Sequence, residues 1–523
     1  MVISLALVLA LAAPAAPAAS SDRPDVVLVL LDDLDAVTSR PFVEQILEKT
    51  LVLERSGVRF DLALSTTPIC CPSRATLLSG CEGHTTGVLT NGGPTGGWRT
   101  FQQKHGEQHT LATALAAEGY RTMLIGKYMN QYELDGKKAP PVPPGWTDWA
   151  AIVDGGIQGY VGYDFNLLEQ APKKSPSVVH YGHASADYST DVFRDKAVAF
   201  LQSAGSAPAF LYLAPTAPHL PLPPAPRHAV LAQKWQGTLP KTASYFADGA
   251  EVSDKPKWLR DSWSKRTLGL LRAFNDKDWA DRLGSLYAVD DMIAAVVATQ
   301  RARGRFDHTL FVVVSDNGYN LGAHGLVHKM APYEESLRVP LFVAGGAALG
   351  LRAAVIDAEH MVTLADLAPT IVELTGARGL DVDGRSLAPL LRAGPPPPWR
   401  ATTLIEYDGG GAANGIGQEL RSAIEVFTPA VLLDLPTWRG LRATLVEGKR
   451  SLSVKYVEWP DTNERELYFL DDDPRELDNQ AVLHPAQNKA VLDALHTRLV
   501  ALSMCKGESC RTGEGPVVVV APP

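Results

Sequence analysis

Cysteine is scarce in this chain, 5 among 523 residues. So few thiols exclude a disulfide-built scaffold, and their spacing does not form a zinc pattern. Basic residues are in deficit, with 49 Lys and Arg against 58 Asp and Glu and a formal net charge of −9. That balance argues against a generic polyanion-binding surface, nucleic acid included, although it leaves room for a locally positive pocket. Internal repeats are missing, and beyond the N-terminal stretch no apolar run is long enough to span a bilayer. What is present is ordinary for a soluble globular protein: 46% hydrophobic and 20% charged residues. The length suits one large domain plus a smaller one.

Residues 1–19 are almost wholly apolar and Ala-rich, and Ala16-Pro17-Ala18 supplies a small-x-small cleavage site. They read as a secretory leader, so the expected location is secreted or extracytoplasmic. In an exported protein Cys505 and Cys510, closing a loop through Lys506-Gly507-Glu508-Ser509, are expected to pair. Cys71 and Cys81 receive no role.

The run Val26-Val27-Leu28-Val29-Leu30-Leu31 has the continuous apolar character of a strand buried on both faces, and it ends in Asp32-Asp33. A helical stretch over Phe42 to Leu53 follows. Thr110 is placed to cap a helix carrying Leu111 and Leu115, which Gly119 stops. A strand over Thr122 to Ile125 runs into Gly126-Lys127. A helix with Phe193, Ala197, Phe200 and Leu201 precedes a strand over Ala209 to Leu213, which leads to Pro218-His219. A longer helix, about Ala280 to Gln300, precedes the strand Thr309 to Val314, which ends in Ser315-Asp316-Asn317. Leu341 to Ala344 gives one more strand. Strands alternating with helices predict an α/β fold, a mainly parallel sheet sandwiched by helices, with ligands bound beyond the carboxyl ends of the strands.

Gly394-Pro395-Pro396-Pro397-Pro398 reads as a stiff linker between a domain over residues 24–393 and a smaller α+β subdomain over 399–511. There Val454 to Val457 and Leu467 to Leu470 alternate like antiparallel strands, and a helix over Gln487 to Leu502 would pack on them. Residues 512–523 read as a flexible tail.

Four strand ends thus carry Asp32/Asp33, Lys127, His219 and Asp316/Asn317. Asp32, Asp33, Asp316 and Asn317 are all oxygen donors, which suits calcium, or magnesium, rather than zinc. Singly, each could cap a helix or close a turn. At matching strand ends, metal binding is the better reading. Asp290-Asp291, in mid-helix beside Tyr287 and Met292, reads as structural or as standing behind the site residues. Lys127 alone would usually be a surface lysine, and His219 between prolines a loop residue. Trp146, Trp149, Trp235, Trp258, Trp263 and Trp279 could stack on a sugar face or simply fill the core.

One stretch is more specific than all of these: Cys70-Cys71-Pro72-Ser73-Arg74, followed by Ala75-Thr76-Leu77-Leu78-Ser79-Gly80. Pro72 suits the first position of a short helix and Gly80 its end. Cys70 would then sit just before a helix N-terminus, where anions are favoured, with Arg74 one turn along. The stretch resembles the signature of type I sulfatases. The resemblance extends to Asp32-Asp33, Gly126-Lys127, Pro218-His219, Asp316-Asn317-Gly318 and Lys329 before Tyr333-Glu334 and Arg338-Val339-Pro340. Asp366-Leu367-Ala368-Pro369-Thr370, Asp383-Gly384-Arg385-Ser386-Leu387 and the closing Leu467-Tyr468-Phe469-Leu470-Asp471-Asp472-Asp473-Pro474-Arg475-Glu476-Leu477-Asp478-Asn479 also look like the family. Gly126-Lys127-Tyr128-Met129-Asn130 brings the chain closest to the N-acetylglucosamine-6-sulfatase and arylsulfatase branch. Met129 stands where many sulfatases carry a His.

The resemblance implies an alkaline phosphatase-like fold and hydrolysis of a sulfate monoester on an aryl alcohol or sulfated sugar. It implies that Cys70, rather than Cys71, is oxidised to formylglycine by a maturation enzyme and joins Asp32, Asp33, Asp316 and Asn317 at the cation. Lys127, Lys329 and Arg74 would hold the sulfate oxygens, and His219 or Lys329 would protonate the leaving oxygen. His324 and His328 could stand behind these groups. A phosphonate monoester or phosphodiester hydrolase on the same scaffold is the alternative, and a non-catalytic sulfated-glycan binder the rival from another class.

Overall fold

The run beginning at Val26 forms the strand from which the rest of the sheet is built. In this computed structural model residues 23–241, 244, 252–265, 276–409 and 435–519 are described; the expected leader over 1–19 lies outside them. In chain order the strands of the main sheet are β1 (Asp25–Leu31), β2 (Gly57–Phe60), β3 (Arg121–Gly126), β4 (Asp148–Ile152) and β5 (Phe165–Gln170). They continue with β6 (Ser177–Tyr181), β7 (Ala209–Ala214), β8 (Thr309–Ser315), β9 (Leu341–Gly345) and β10 (Val355–Asp357). The ten are ordered β10-β2-β9-β8-β1-β7-β3-β4-β5-β6. From β8 to β4 every neighbouring pair is parallel, with Val29 beside Leu213 and Val313. β9 and β5 run antiparallel at either side of that block. The fold is the α/β, alkaline phosphatase-like one, a mainly parallel sheet between helices.

β1 sends Val27, Val29 and Leu31 into one core and Val26, Leu28 and Leu30 into the other, all essentially without exposure. Helices cover both faces: α1 (Cys70–Ser79) and α2 (Leu111–Ala117) on one, α3 (Ser189–Ser203) and α4 (Asp276–Ala302) on the other. Burying side chains of this size contributes about 1.5–3 kcal/mol each, which is why an unbroken apolar run can only be a central strand. Thr110 caps α2, its hydroxyl accepting from Thr113 N.

The structure corrects two local expectations. The stretch from Phe42 to Leu53 is two short helices, Arg40–Val43 and Glu48–Glu54. The second begins where Asp290 of α4 reaches it, its carboxylate accepting from Lys49 N at 3.2 Å and from Thr50 N and Oγ1 at 2.8 Å. Helix α1 starts two residues before Pro72, so Cys70 is its first residue rather than the one preceding it. Pro72 is tolerated at the third position because an N–H there has no intrahelical partner anyway. Gly80, at φ 73°, closes the helix by donating to Thr76 O.

A second sheet, β11 (Thr402–Tyr407), β12 (Trp438–Glu447), β13 (Arg450–Trp459) and β14 (Glu464–Phe469), forms the smaller C-terminal unit and is antiparallel throughout. Helix α5 (Lys489–Leu502) lays Val491, Leu495 and Leu499 on it. The expected flexible tail is corrected over residues 512–519. Val517–Val519 forms β15, paired in parallel with Leu445–Glu447 of β12, because the β11 pairing stops at Ala443 and leaves those residues open on that side, and Val517 and Val519 bury against that core. Residues 520–523 lie outside the described chain. Among the described residues no helix is long and apolar enough to cross a membrane.

The two sheets meet at buried polar contacts. Trp438 Nε1 donates to Met330 O at 2.8 Å, and Lys455 Nζ lies 2.7 Å from both Glu334 and Glu476 carboxylates. His84, just beyond α1, bridges Glu406 Oε1 at 2.8 Å and Cys505 O at 2.9 Å, beside the Cys505–Cys510 disulfide. Burial would lower the His84 pKa, yet the Glu406 carboxylate outweighs it and lifts it to about 9. Burial raises Glu82, next to it, to about 8. Both groups therefore hold protons more tightly folded than unfolded, and the stability they bring is lost as pH rises through these values. The melting temperature is expected to fall between pH 7 and 9.5, and H84Q to flatten that slope; calorimetric scans showing the same slope in both proteins would refute it.

Candidate active site

Parallel alignment of β1, β3, β7 and β8 delivers their carboxyl ends to one edge of the sheet, and there the chain changes from apolar to charged. Asp32 and Asp33 follow β1, Lys127 follows β3, His219 lies beyond β7, and Asp316 and Asn317 follow β8. Gly126 permits the approach of the second of these. Its φ is 98°, and a Cβ there would stand 2.1 Å from Ala214 O. Asp33 adopts φ 66°, a left-handed conformation rare for a residue with a side chain.

The carboxylates and cations interlock. Lys127 Nζ donates to Asp32 Oδ2 at 2.7 Å, and Lys329 Nζ to Asp33 Oδ1 at 2.5 Å. Arg74, fully buried, donates from Nε to Asp316 Oδ2 at 2.9 Å and from Nη1 to Lys127 O at 2.8 Å. Its Nη2 lies 2.8 Å from Asp316 Oδ2 and 3.5 Å from Asp32 Oδ2. Asp33 also accepts from Asn317 Nδ2 at 2.7 Å, and its own N–H donates to Asp316 Oδ1 at 3.2 Å. Into this lattice α1 presents Cys70, 1% exposed, with Sγ 2.8 Å from Lys329 Nζ and 3.6 Å from Asp32 Oδ1. Cys71 points away into the core, and its N–H is held by Asn91 Oδ1 at 2.8 Å.

Charge explains the proton affinities. Burial alone would raise the pKa of Asp32, but Lys127, Arg74, His219 and Lys329 together hold it far below the usual carboxylate range. Asp33 is likewise lowered, against burial, chiefly by Lys329 and His219. Asp316 goes the other way, to about 6, because burial and the neighbouring Asp32 charge exceed what Arg74 and Lys127 return. Burial pushes the Cys70 thiol up to about 12 in spite of both lysines, so the unmodified side chain is not a thiolate at neutral pH. Both lysines stay charged, and His219, drawn down to about 4 chiefly by burial, is neutral.

The donor set fits a hard divalent cation. Ligand atoms of Asp32, Cys70 and Asp316 lie within 4.8 Å of one another, as do those of Asp32, Asp33 and His219. Asn317 Oδ1 is buried beside them without a hydrogen-bond partner, the state of a carbonyl oxygen awaiting a cation.

Not every expected residue faces this cluster. His328 lies next to it, its pKa lowered to about 4 by burial and then by Lys329. His324 does not: it is stacked on Tyr333 at 3.7 Å, with Nε2 3.6 Å from Glu335 Oε2, at the seam with the second sheet. Its left-handed φ of 56° turns the ring that way. Arg74 braces the site through Nε and Nη1, which meet Asp316 and the Lys127 carbonyl, while its Nη2 has no hydrogen-bond partner among the described residues. Trp146, Trp149, Trp235, Trp258 and Trp279 are all at most 9% exposed and fill the interior; the Trp263 side chain lies outside the described set. The sequence reading missed Tyr160, which stacks on His219 at 4.2 Å and covers Lys127 Nζ at 4.9 Å. Its loop carries no motif. Thr216, buried and lining the same cleft as Tyr160, lies two residues before Pro218 and was missed as well.

The sulfatase family model matches residues 24–377. The chain belongs to the sulfatase family. An arylsulfatase of Volvox carteri is 32% identical over 94% of this sulfatase and 76% of its own length. The N-acetylglucosamine-6-sulfatase of Capra hircus is 29% identical over 95% of this chain and 86% of its own. Among solved structures, one described as a complex with its substrate D-glucosamine-2-N,6-O-disulfate superposes with a TM-score of 0.70 at 21% identity, covering 94% of this chain and 98% of that one. The sulfatase is accordingly a sulfuric ester hydrolase. Calcium titrated into it by calorimetry is expected to fill one site, and N317A to weaken that binding about tenfold or more, equivalent to about 1.4 kcal/mol. Equal affinity in both proteins would remove Asn317 from the cation site.

Proposed function

We propose that this sulfatase hydrolyses the sulfate monoester of a sulfated sugar or aryl alcohol, using formylglycine made from Cys70 and a calcium ion. The observation that carries the reading is the position of Cys70 Sγ, 2.8 Å from Lys329 Nζ and 3.6 Å from Asp32 Oδ1. The names of the relatives point to the same substrates, N-acetylglucosamine 6-sulfate and aryl sulfates.

Asp32, Asp33, Asp316 and Asn317 would hold the cation, with the side chain at position 70 completing the set. When bound, the hydrated aldehyde supplies an oxygen nucleophile and the cation lowers the pKa of its hydroxyl. The remaining work falls to the chain's own groups. Lys127 and Lys329, both kept charged, face the place where sulfate oxygens gather charge. Arg74 acts through others, fixing Asp316 and the Lys127 backbone. A proton for the leaving oxygen comes from the His219–Lys329 pair, of which Lys329 is the protonated member at neutral pH. With His219 neutral, its Nδ1 is oriented by Leu220 O and its Nε2 is directed toward Asp33.

We read residues 24–393 as the catalytic domain and the part that follows Pro398 as its closing subdomain. The protein is exported after loss of residues 1–19, consistent with an oxidising environment for Cys505–Cys510, and it meets the maturation enzyme on the way.

K127A and K329A are expected to melt within a few degrees of the parent and to lose about 10²-fold or more in sulfate release. Wild-type rates in either would remove that lysine from the mechanism. Peptide mass across position 70 of the secreted protein should show the aldehyde. A thiol there in protein that still releases sulfate would refute the formylglycine assignment, and faster turnover of a phosphate diester than of an aryl sulfate would refute the sulfate specificity.

A further inference from the structure

Beside the sulfate-binding cations opens a narrow cleft of about 410 Å³, part of it facing solvent. Lys127 forms its inner end. Its wall includes Asn130, Tyr160 and Thr216, and Glu133 and Asp154 stand along its outer part. Nothing in the reaction described so far uses Thr216, Glu133 or Asp154.

Two features mark the cleft as built for a ligand. Thr216 is 1% exposed, yet its Oγ1 has no hydrogen-bond partner. A buried hydroxyl without a partner costs about 1–3 kcal/mol, so a wall carrying one is incomplete until something polar occupies the space in front of it. The acids supply the second feature. Asp154 is fixed by Asn166, whose Nδ2 donates at 2.7 Å and whose backbone N–H also donates to it. The charged neighbours that act most on that carboxylate are His180 and Asp164. Glu133 lays its carboxylate against Gly155, where a Cβ would come within 2.2 Å of Oε2. The cleft thus carries Lys127, paired with Asp32, and two carboxylates, Glu133 and Asp154.

We propose that this cleft is the subsite for the alcohol portion of the substrate, that Thr216 donates to one of its oxygens, and that Glu133 and Asp154 select a skeleton bearing an amino or uncharged hydroxyl group over one bearing a second sulfate. The proposal rests on the sulfatase reading above and adds the class of substrate: a monosulfated amino sugar or neutral polyol sulfate, rather than a segment of a densely sulfated chain. A second anion placed beside two carboxylates would meet like charge at short range, in a cleft whose walls screen it less than bulk water does. An ammonium group there would be paired twice.

Equilibrium binding in calcium-containing buffer tests this without requiring turnover. Glucosamine 6-sulfate and D-glucosamine-2-N,6-O-disulfate are titrated into the wild-type protein, E133Q, E133K and T216V. The wild type is expected to favour the monosulfated ligand about fivefold or more. E133Q should shrink that ratio and E133K invert it, while T216V should weaken both ligands alike and T216S restore them. A wild type without preference, or a ratio unmoved in E133Q and E133K, overturns the selectivity. Unchanged affinity in T216V overturns the hydroxyl contact. Sulfate release from 4-methylumbelliferyl sulfate by the same wild-type preparation separates the two readings. Release accompanied by no binding preference overturns the subsite alone, whereas no release from protein carrying the aldehyde overturns the sulfatase reading and the subsite with it.

Discussion

Three buried carboxylates held by two buried cations and one half-buried one are the constraint on which the rest of this molecule depends. Asp32, Asp33 and Asp316 are paired with Lys127, Lys329 and Arg74 at distances of 2.5–2.9 Å. An isolated ion at such depth would cost several kcal/mol after relaxation, and here each carboxylate has a second partner besides its main cation: Arg74 for Asp32, Asn317 for Asp33 and the Asp33 N–H for Asp316. The pairs also tie together parts of the chain that are far apart in sequence: the end of β1 to the end of β3, the loop at Lys329 back to β1, and helix α1 to the end of β8. The sheet sets the register of the strand ends, and the charges make that register the one arrangement in which every group is satisfied.

Most of this was legible in the sequence because it was written as contrast. Each central strand is a continuous apolar run that stops at a charged or polar residue, and that edge marks both the strand boundary and the site. Cys70 and Arg74, one turn apart on α1, were equally readable from their spacing. What could not be read were features decided by partners remote in the chain. The break between the helices at 40–43 and 48–54 comes from Asp290, more than two hundred residues on. The ordered strand at Val517–Val519 exists because β12 has an edge to offer. His324 is four residues before His328, but a left-handed backbone sends its ring to Tyr333 and Glu335 instead of the catalytic cluster. Arg74 was readable in position but not in its partners, since only the folded arrangement brings Asp316 and the Lys127 carbonyl to it. Tyr160 left no local signal at all, because its importance lies in the rings and cations it happens to meet.

The smaller sheet is part of the same economy of charge. Glu334 and Glu335 lie five and six residues beyond Lys329, and they are answered by Lys455 and Arg442 from the second sheet and by Arg475 from the segment that follows it. His84, just after α1, reaches Glu406 and Cys505 on that side as well. Both the helix carrying Cys70 and the loop carrying Lys329 are therefore backed by the C-terminal unit. This accounts for a subdomain that contributes no residue to the cluster yet packs directly behind it.

The depth of Cys70 has a consequence in time rather than in space. At 1% exposure, as the opening residue of a helix pinned between two lysines and a carboxylate, it offers no extended segment for another enzyme to grip. The oxidation proposed for it must therefore precede closure of the fold. The interval available ends when β8 and the Lys329 loop, more than two hundred residues further along the chain, come to rest over it. A substitution that hastens folding of the first strands would shorten that interval, so a more stable protein need not be a more fully matured one.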